Sequence, residues 1–503
     1  MGDRRTKRDS GKDKEMELLN KALAKKKERP VKVLQFGEGN FLRGFADYMI
    51  DIANERGYFD GDVVLVKPKE GGSLEKFHKQ ECQYTVSLKG IEGNKASVRN
   101  RIVTCVTDAV AAYEEYGRYS EYAKLASLRF IVSNTTEAGI VYDGSDRPEM
   151  TPPHSFPGKL TKFLYERYRY FGGAADKGLI MLPTELIDDN GIRLKECVVK
   201  LAVLWQLEDG FRAWLDEACI FCSTLVDRIV SGYPKDEEGD LWKQFGYEDH
   251  LIVAGEPFAL WVIESREDIS GEFPLGEAGL PVILTDCQKP YKQRKVRILN
   301  GAHTSFAPAS YLAGNDYVLQ SMEDRLIYEF MHDTVYDEII PTLALPEKEL
   351  KDFAEAAVVR FCNPYVKHAL LSIALNSVSK WRARCLPSFL GYVEKNGKLP
   401  GHLTFSLAAL MAFCTGSECS GKALIGKRGD EKYEILDEEA VLRFFAENSG
   451  KDTGEFVRLF LSGEEFFGQD LTGIDGLTDR VTAYLTEIKR LGMRGAMEKY
   501  FSV

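Results

Sequence analysis

No stretch of this 503-residue chain approaches the ~18–20 consecutive apolar residues that a bilayer-spanning helix needs. The longest candidate, LTFSLAALMAFC at 403–414, is too short and contains Ser406, so it reads as a buried core helix. The apolar h-region of a secretory signal is also missing from the N-terminus. Ten cysteines include one CxxC pair, Cys219 and Cys222, with no second pair and no neighbouring histidine. The four soft ligands of a structural zinc site are therefore lacking. The apolar flanks ACIFCSTLV resemble a strand rather than the opening helix of a thioredoxin-like redox site. Buried thiols are the expectation, no metal is called for, and the cytoplasm is the default compartment. There is no basic surplus either. Sixty-six Lys and Arg stand against 77 Asp and Glu, a net charge of −11, which argues against a nucleic-acid partner. What remains, 44% hydrophobic and 28% charged, is the balance of a soluble globular protein with a sizeable core.

Charge is unevenly spread. Residues 1–30 hold eleven Lys and Arg against six Asp and Glu, so this segment is +5 and the rest −16. The opening MGDRRT matches an N-myristoylation pattern, a six-residue match that chance supplies easily. A solvated, partly helical tail is the simpler expectation.

From Val31 the chain reads as strand, glycine turn, helix: VKVLQF, then GEGN, then Phe41, Leu42, Phe45, Ala46, Met49 and Ile50 at helical spacing. Further strands are expected at Val63–Val66, Tyr84–Leu88, Ile102–Val106, Phe130–Ser133 and Leu179–Leu182, with helices between, among them Ala109–Ala126 and Lys159–Tyr170. Such alternation indicates a mostly parallel, doubly wound sheet. Beyond about residue 290 strand signals nearly vanish and apolar residues recur at helical spacing. The predicted class is α/β: a Rossmann-like domain at 31–290 and a mostly helical domain at 291–503, after the basic tail 1–30. No internal repeat or low-complexity segment interrupts this plan.

In the glycine turn, Gly37 permits tight curvature and Gly39 close approach of backbone to a pyrophosphate, with the following helix aiming its first amides at that anion. A third glycine is absent, Leu42 standing in its place. The acid that usually ends the second strand and binds the NAD ribose is absent too, replaced by Lys67-Pro68-Lys69. A base there suits the 2′-phosphate of NADP, so the residues alone leave cofactor preference open.

KVRILNGAH, beginning at Lys295, sits at the junction of the two halves, where small-molecule sites tend to lie. Asn300 and His303 share a helix face, and Lys295 precedes His303 by eight residues, about 12 Å along an ideal α-helix. A lysine, an amide and an imidazole form a plausible proton-transfer group for an alcohol or ketone. On spacing alone the simpler reading is a solvated lysine, a capping asparagine and a core histidine. Asp188, Asp189 and Asn190 before Gly191 most simply form a turn, and Lys380 and Arg384 a solvated basic stripe.

Six ordered motifs carry a resemblance: QFGEGNFLRGF at 35–45, SNTTEAGI at 133–140, PTELIDDNG at 183–191, FCSTLVDRIVSGYP at 221–234, KVRILNGAH at 295–303 and RFCNPYVKHALLSIALNSVSKWRAR at 360–384. Through them the chain resembles the mannitol dehydrogenase family, the polyol-specific long-chain dehydrogenases/reductases, over nearly its whole length from Val31. More narrowly it is similar to the hexuronate branch, whose members interconvert tagaturonate and altronate. The resemblance implies metal-independent hydride transfer between NAD(H) and a sugar carbonyl. It puts the acid/base on Lys295, with Asn300, His303 and Asn190 around the reacting oxygen. The cofactor would be bordered by Phe36, Gly37, Glu38, Gly39, Asn40, Phe41 and Arg43, and by Asn134 and Glu137.

One departure separates this chain from the polyol-oxidising branch. That branch has an arginine eight residues before its substrate lysine, and the position here, before Lys380, is Ser372. A hexuronate brings a carboxylate that polyols lack, and His368, Lys380 and Arg384 are expected to bind part of it. Rival readings are fructuronate reduction, a polyol or polyol-phosphate dehydrogenase, and a cofactor-binding sensor without catalysis. The last has no need of a lysine acid/base. Oligomeric state and physiological direction are not written in these residues.

Overall fold

Val33, Leu34 and Phe36 are fully enclosed on both faces of their strand, the pattern of a strand central to a parallel sheet. The computed structural model describes residues 16–92, 95–135, 139–416, 418–420 and 423–501. It divides into two compact units, one of the residues up to Lys89 with Ser97–Gln288, the other of Gly90–Ala96 with the residues from Lys289 on.

Strands in the first part of the chain are β1 (Val31–Phe36), β2 (Asp62–Lys67), β3 (Tyr84–Glu92), β4 (Lys95–Val103), β5 (Val106–Ala111), β6 (Phe130–Ser133), β7 (Ile180–Pro183) and β8 (Ile220–Phe221). Six of them form one parallel sheet in the order β5-β2-β1-β6-β7-β8. This is the doubly wound Rossmann order, and the direction of winding reverses between β1 and β6. One face packs the helix that follows β1, through Phe45, Met49 and Ile50. The other packs Phe156–Phe171, Asn190–Leu204 and Asp209–Glu217. Helix Phe156–Phe171 shows why these segments start and stop where they do. Ser155 accepts from the Gly158 amide, Pro157 occupies the first turn, and Gly172 ends the helix in the left-handed region.

Later strands β9 (Ser223–Asp227), β10 (Val230–Gly232), β11 (Val253–Gly255), β12 (Leu260–Glu264) and β13 (Val282–Thr285) build two smaller sheets, β10-β11-β3-β4 and β13-β12-β9. Cys219 and Cys222 flank β8, buried and unbridged, and burial pushes their thiols up to about 12 and about 11.

Three expectations need correction. Residues 109–111 belong to β5, paired with β2, and the helix begins only at Tyr116. VTDAVAA is alanine-rich and reads as helical, but a seat at the sheet edge overrides that propensity. The expected strand Ile102–Val106 is likewise split, its two ends belonging to β4 and β5. The basic segment is not a solvated tail in its described part. Leu19 is buried, and the Lys26 ammonium donates to Asp62 Oδ2 at 2.7 Å and to the Thr104 carbonyl at 2.9 Å, with both charged groups enclosed.

The second unit is mainly helical. Gly401–Cys414 is apolar all round and lies at its centre against Gly301–Leu312 and Leu477–Phe501, with Trp381 Nε1 donating to its Ser406 hydroxyl at 3.0 Å. Strands β14 (Glu418–Ser420), β15 (Ala423–Arg428) and β16 (Glu431–Ile435) form an antiparallel sheet that the helical periodicity of this half gave no sign of.

Candidate active site

The turn after β1 owes its shape to two backbone constraints. Gly37 has φ +124°, and a Cβ on it would stand 3.1 Å from the Asn134 carbonyl oxygen at the end of β6. Its amide donates to the Val66 carbonyl at 2.9 Å, while the Asn134 amide donates to the Phe36 carbonyl at 3.0 Å. Gly37 thus lies at the reversal point of the sheet, where open α/β sheets bind ligands. Gly39 follows with open space over its α-carbon, at the start of a helix running as Asn40–Leu42, a π turn Arg43–Asp47, and Tyr48–Glu55. Bare backbone, open space and helix amides together fit a pyrophosphate.

The other turn residues divide by direction. The Phe36 ring points into the core, against Phe156 at 5.1 Å and Tyr119 at 6.0 Å, so only its backbone borders the turn. Phe41 stacks on Phe45 at 5.0 Å. Glu38 and Asn40 are half-buried. Arg43, expected at the pyrophosphate, is buried behind the loop. Nε donates to the Glu38 carbonyl at 3.1 Å, Nη1 to the Leu251 carbonyl at 2.5 Å and Nη2 to Asn40 Oδ1 at 2.7 Å. It braces the turn. Glu137 lies outside the described residues.

Asn134 is tied sideways, its amide donating to the Thr184 carbonyl and hydroxyl at 3.2 and 3.0 Å. Beside it Glu185, which the sequence reading passed over, accepts from the Thr135 amide (3.0 Å), the Thr135 hydroxyl (2.9 Å) and the Ser133 hydroxyl (3.1 Å). Burial raises its pKa, and these donors oppose the rise. Its place inside PTELIDDNG was the available signal.

Lys67, at the strand end that usually carries the ribose acid, turns inward. Its ammonium donates to the carbonyls of Lys69 and Gly71 and pairs with Glu114 at 3.1 Å. It is therefore not a free cation for a 2′-phosphate. A cavity of about 420 Å³ opens beside it, lined by Pro68, Lys69, Thr135, His154 and Lys159 among others.

Asn190, expected around the reacting oxygen, lies inside the first unit. It is fully buried, and its amide donates to the carbonyls of Pro183 (3.1 Å), Glu185 (3.0 Å) and Thr224 (3.1 Å), while Oδ1 accepts from the Thr224 amide at 2.8 Å. With its donors and an acceptor used in this way, the side chain knits β7 to β9.

In the second unit the helix bearing Lys295 departs from α geometry. Lys295–Asn300 is a π turn, continuous with Gly301–Leu312. In an α-helix five residues rotate side chains about 140° apart. The wider i→i+5 turn reduces that separation and brings Lys295 and Asn300 closer to one face, and such turns recur at functional sites. The Asn300 carbonyl accepts from Thr304 Oγ1 at 2.9 Å, which in turn accepts from Arg384 Nη1 at 3.2 Å.

His303 packs against Phe361 at 4.1 Å and edge-on to His368 at 5.1 Å. Its Nε2 is sealed from solvent without a hydrogen-bond partner among the described residues. Burial, then the charges of His368, Arg360 and Arg384, hold its pKa well below the usual 6.5, so the ring is neutral. Burial, then Arg360 and Lys380, lowers His368 as well. Lys380 Nζ donates to the Ile373 carbonyl at 2.9 Å, and burial and Arg384 lower its pKa. The structure thus gathers Asn300, His303, His368, Lys380 and Arg384, and adds Arg360, the first residue of its motif.

Both halves match family models: residues 31–275 the mannitol dehydrogenase Rossmann domain, and residues 288–489 the mannitol dehydrogenase C-terminal domain. The chain belongs to the mannitol dehydrogenase family. Within that family, altronate oxidoreductase from Pectobacterium atrosepticum is 42% identical over 487 residues, covering 96% of this chain and all of the relative. Altronate oxidoreductase from Bacillus subtilis is 42% identical over 474 residues, covering 94% and 95%. Among solved structures, a substrate-free D-sorbitol dehydrogenase superposes with TM-score 0.78 at 20% identity, covering 95% of this chain and 100% of that one. Pseudomonas fluorescens mannitol 2-dehydrogenase, solved with NAD and D-mannitol, superposes with TM-score 0.64 at 19% identity, covering 96% and 99%. At these identities the structures show the family fold alone.

Proposed function

We propose that this chain catalyses the reversible, NAD-dependent interconversion of D-tagaturonate and D-altronate. The observation that carries the reading is the 42% identity with altronate oxidoreductases along 96% of the chain. The cation cluster of the second unit supports it: three cations, Arg360, Lys380 and Arg384, lie around two imidazoles whose pKa values are lowered by burial first and by these charges second. Such a field suits an anionic substrate, and a uronate carboxylate meets Lys380 and Arg384 by charge-assisted hydrogen bonds, with His368 beside them.

NADH, when bound, would supply the hydride for the ketone carbon. Gly37 and Gly39 give its pyrophosphate backbone and open space, and the Asn40 helix gives its amides. The inward-turned Lys67 favours NAD over NADP. Lys295 gives a proton from Nζ to the ketone oxygen, so that hydride and proton together make the secondary alcohol. Asn300, at the other end of the same π turn, and the neutral His303 orient and hydrogen-bond that oxygen. Asn190 acts by position, fixing the segment between β7 and the helix it begins.

A spectrophotometric assay of NADH oxidation with tagaturonate, fructuronate and fructose in parallel tests the reading. Turnover with tagaturonate at a kcat/KM well above the other two is expected. A preference for fructuronate would move the chain to the neighbouring specificity, a preference for fructose would return it to polyol chemistry, and turnover of none would leave a binding protein.

A further inference from the structure

Asp47 is a buried carboxylate that the proposed chemistry does not use. It closes the π turn Arg43–Asp47 of the helix after the glycine turn and is completely enclosed. Oδ2 accepts from the Tyr84 hydroxyl at 2.8 Å and from Gln35 Nε2 at 3.3 Å. The same Nε2 donates to the Gly37 carbonyl at 3.1 Å. Gln35 is itself unexpected, a fully buried amide in the central strand two residues before the turn. Two enclosed acceptors, Asp47 Oδ1 and Gln35 Oε1, have no hydrogen-bond partner among the described residues. A buried polar atom left unpaired carries a free-energy cost, which narrows the margin of this arrangement over an alternative that pairs it.

The alternative follows from proton placement. While Asp47 is ionised it can only accept, so Gln35 must present Nε2 to it, and that nitrogen also holds the Gly37 carbonyl. Once protonated, the carboxyl needs an acceptor, which Gln35 provides by turning its amide over to present Oε1. The bond to Gly37 is then lost.

We propose that Asp47 is a positioning residue for the dinucleotide turn, holding the Gly37 carbonyl through Gln35 only while it is ionised, so that NADH affinity falls as Asp47 takes up a proton. The inference rests on the reading of Gly37–Asn40 as a cofactor turn. The charged and titratable groups around Asp47 set where the change falls. Burial raises its pKa from the ordinary range to about 7, Tyr84, Gln35 and the Arg43 guanidinium pull it down, and Asp51 pushes it up. Cys105, whose thiol donates to the Asp47 carbonyl, is held protonated by burial. Asp249 and Glu38 act on Arg43 from further off.

The test is fluorescence titration of NADH into the full chain from pH 6 to 8.5, without sugar substrate, for wild type, Asp47→Asn and Tyr84→Phe. Wild type is expected to lose about threefold to tenfold in affinity toward pH 6, the worth of about one hydrogen bond. Asp47→Asn cannot ionise and is expected to bind equally across the range. Tyr84→Phe removes a donor to the charged form and is expected to move the midpoint to higher pH. Should Asp47→Asn fail to fold, the Tyr84→Phe midpoint decides: displaced upward it supports the proposal, unmoved it overturns it. A wild-type pH profile retained in Asp47→Asn overturns the proposal alone. Absence of NADH binding by wild type at every pH overturns the cofactor reading and this proposal with it.

Discussion

The Asn134 carbonyl oxygen stands 3.1 Å from the point where a Cβ on Gly37 would sit, so the ends of β1 and β6 meet as bare backbone. Alanine at 37 would crowd that oxygen, which would have to give slightly, and would also have to adopt φ +124°. Gly37→Ala is therefore expected to cost about 1–3 kcal/mol of stability. It should also weaken NADH binding at least tenfold, because Asn134 must shift. Thermal unfolding and NADH titration of the variant check both effects.

Lys295→Ala is expected to fold and to bind NADH with near-normal affinity, while kcat falls by about two to four orders of magnitude. Steady-state kinetics beside direct cofactor titration separates the two. Near-normal turnover would remove Lys295 from the chemistry.

The Arg384–Thr304–Asn300 connection puts a guanidinium one residue from His303, and Lys380 lies within its field. Lys380→Ala is expected to raise the Michaelis constant for a uronate about tenfold to a hundredfold, the worth of a charge-assisted hydrogen bond. The constant for an uncharged ketose should hardly move. Equal losses on both substrates would count against a carboxylate site.

Asp47 also makes stability depend on pH. Its pKa near 7 lies above that of an unfolded aspartate, so the folded chain holds the proton where the unfolded chain has lost it. Wild type should accordingly lose stability relative to Asp47→Asn as pH rises from about 4 to about 7, by up to about 1.4 kcal/mol per pH unit. Paired denaturant titrations at pH 5, 6, 7 and 8 measure the difference.

Sequence periodicity anticipated β1, its glycine turn and helix, β6, and helix Phe156–Phe171, because each has a strong local pattern and a local terminator. It misjudged β5, whose alanine-rich run owes its extended form to β2. It also missed the strands from Glu418 to Ile435 amid helical surroundings. At the site, motif order singled out Gly37, Lys295, Asn300 and His303 as candidates. What each side chain does depended on partners far away in sequence: Glu114 for Lys67, Thr224 for Asn190, Leu251 for Arg43. The π turns were invisible for another reason. The apolar pattern is the same whether one residue more or less is wound into a turn, yet that residue changes how far apart Lys295 and Asn300 face.

The buried pair Lys26–Asp62 bears on where this protein can be cut. The Rossmann domain match opens at residue 31, yet the ammonium that neutralises the enclosed Asp62 carboxylate is supplied from five residues upstream. A chain trimmed to the matched residues would keep every strand of the parallel sheet and leave one of them starting on an uncompensated charge, a cost of about 3–5 kcal/mol. The evolutionary edge of the domain and its thermodynamic edge are different places.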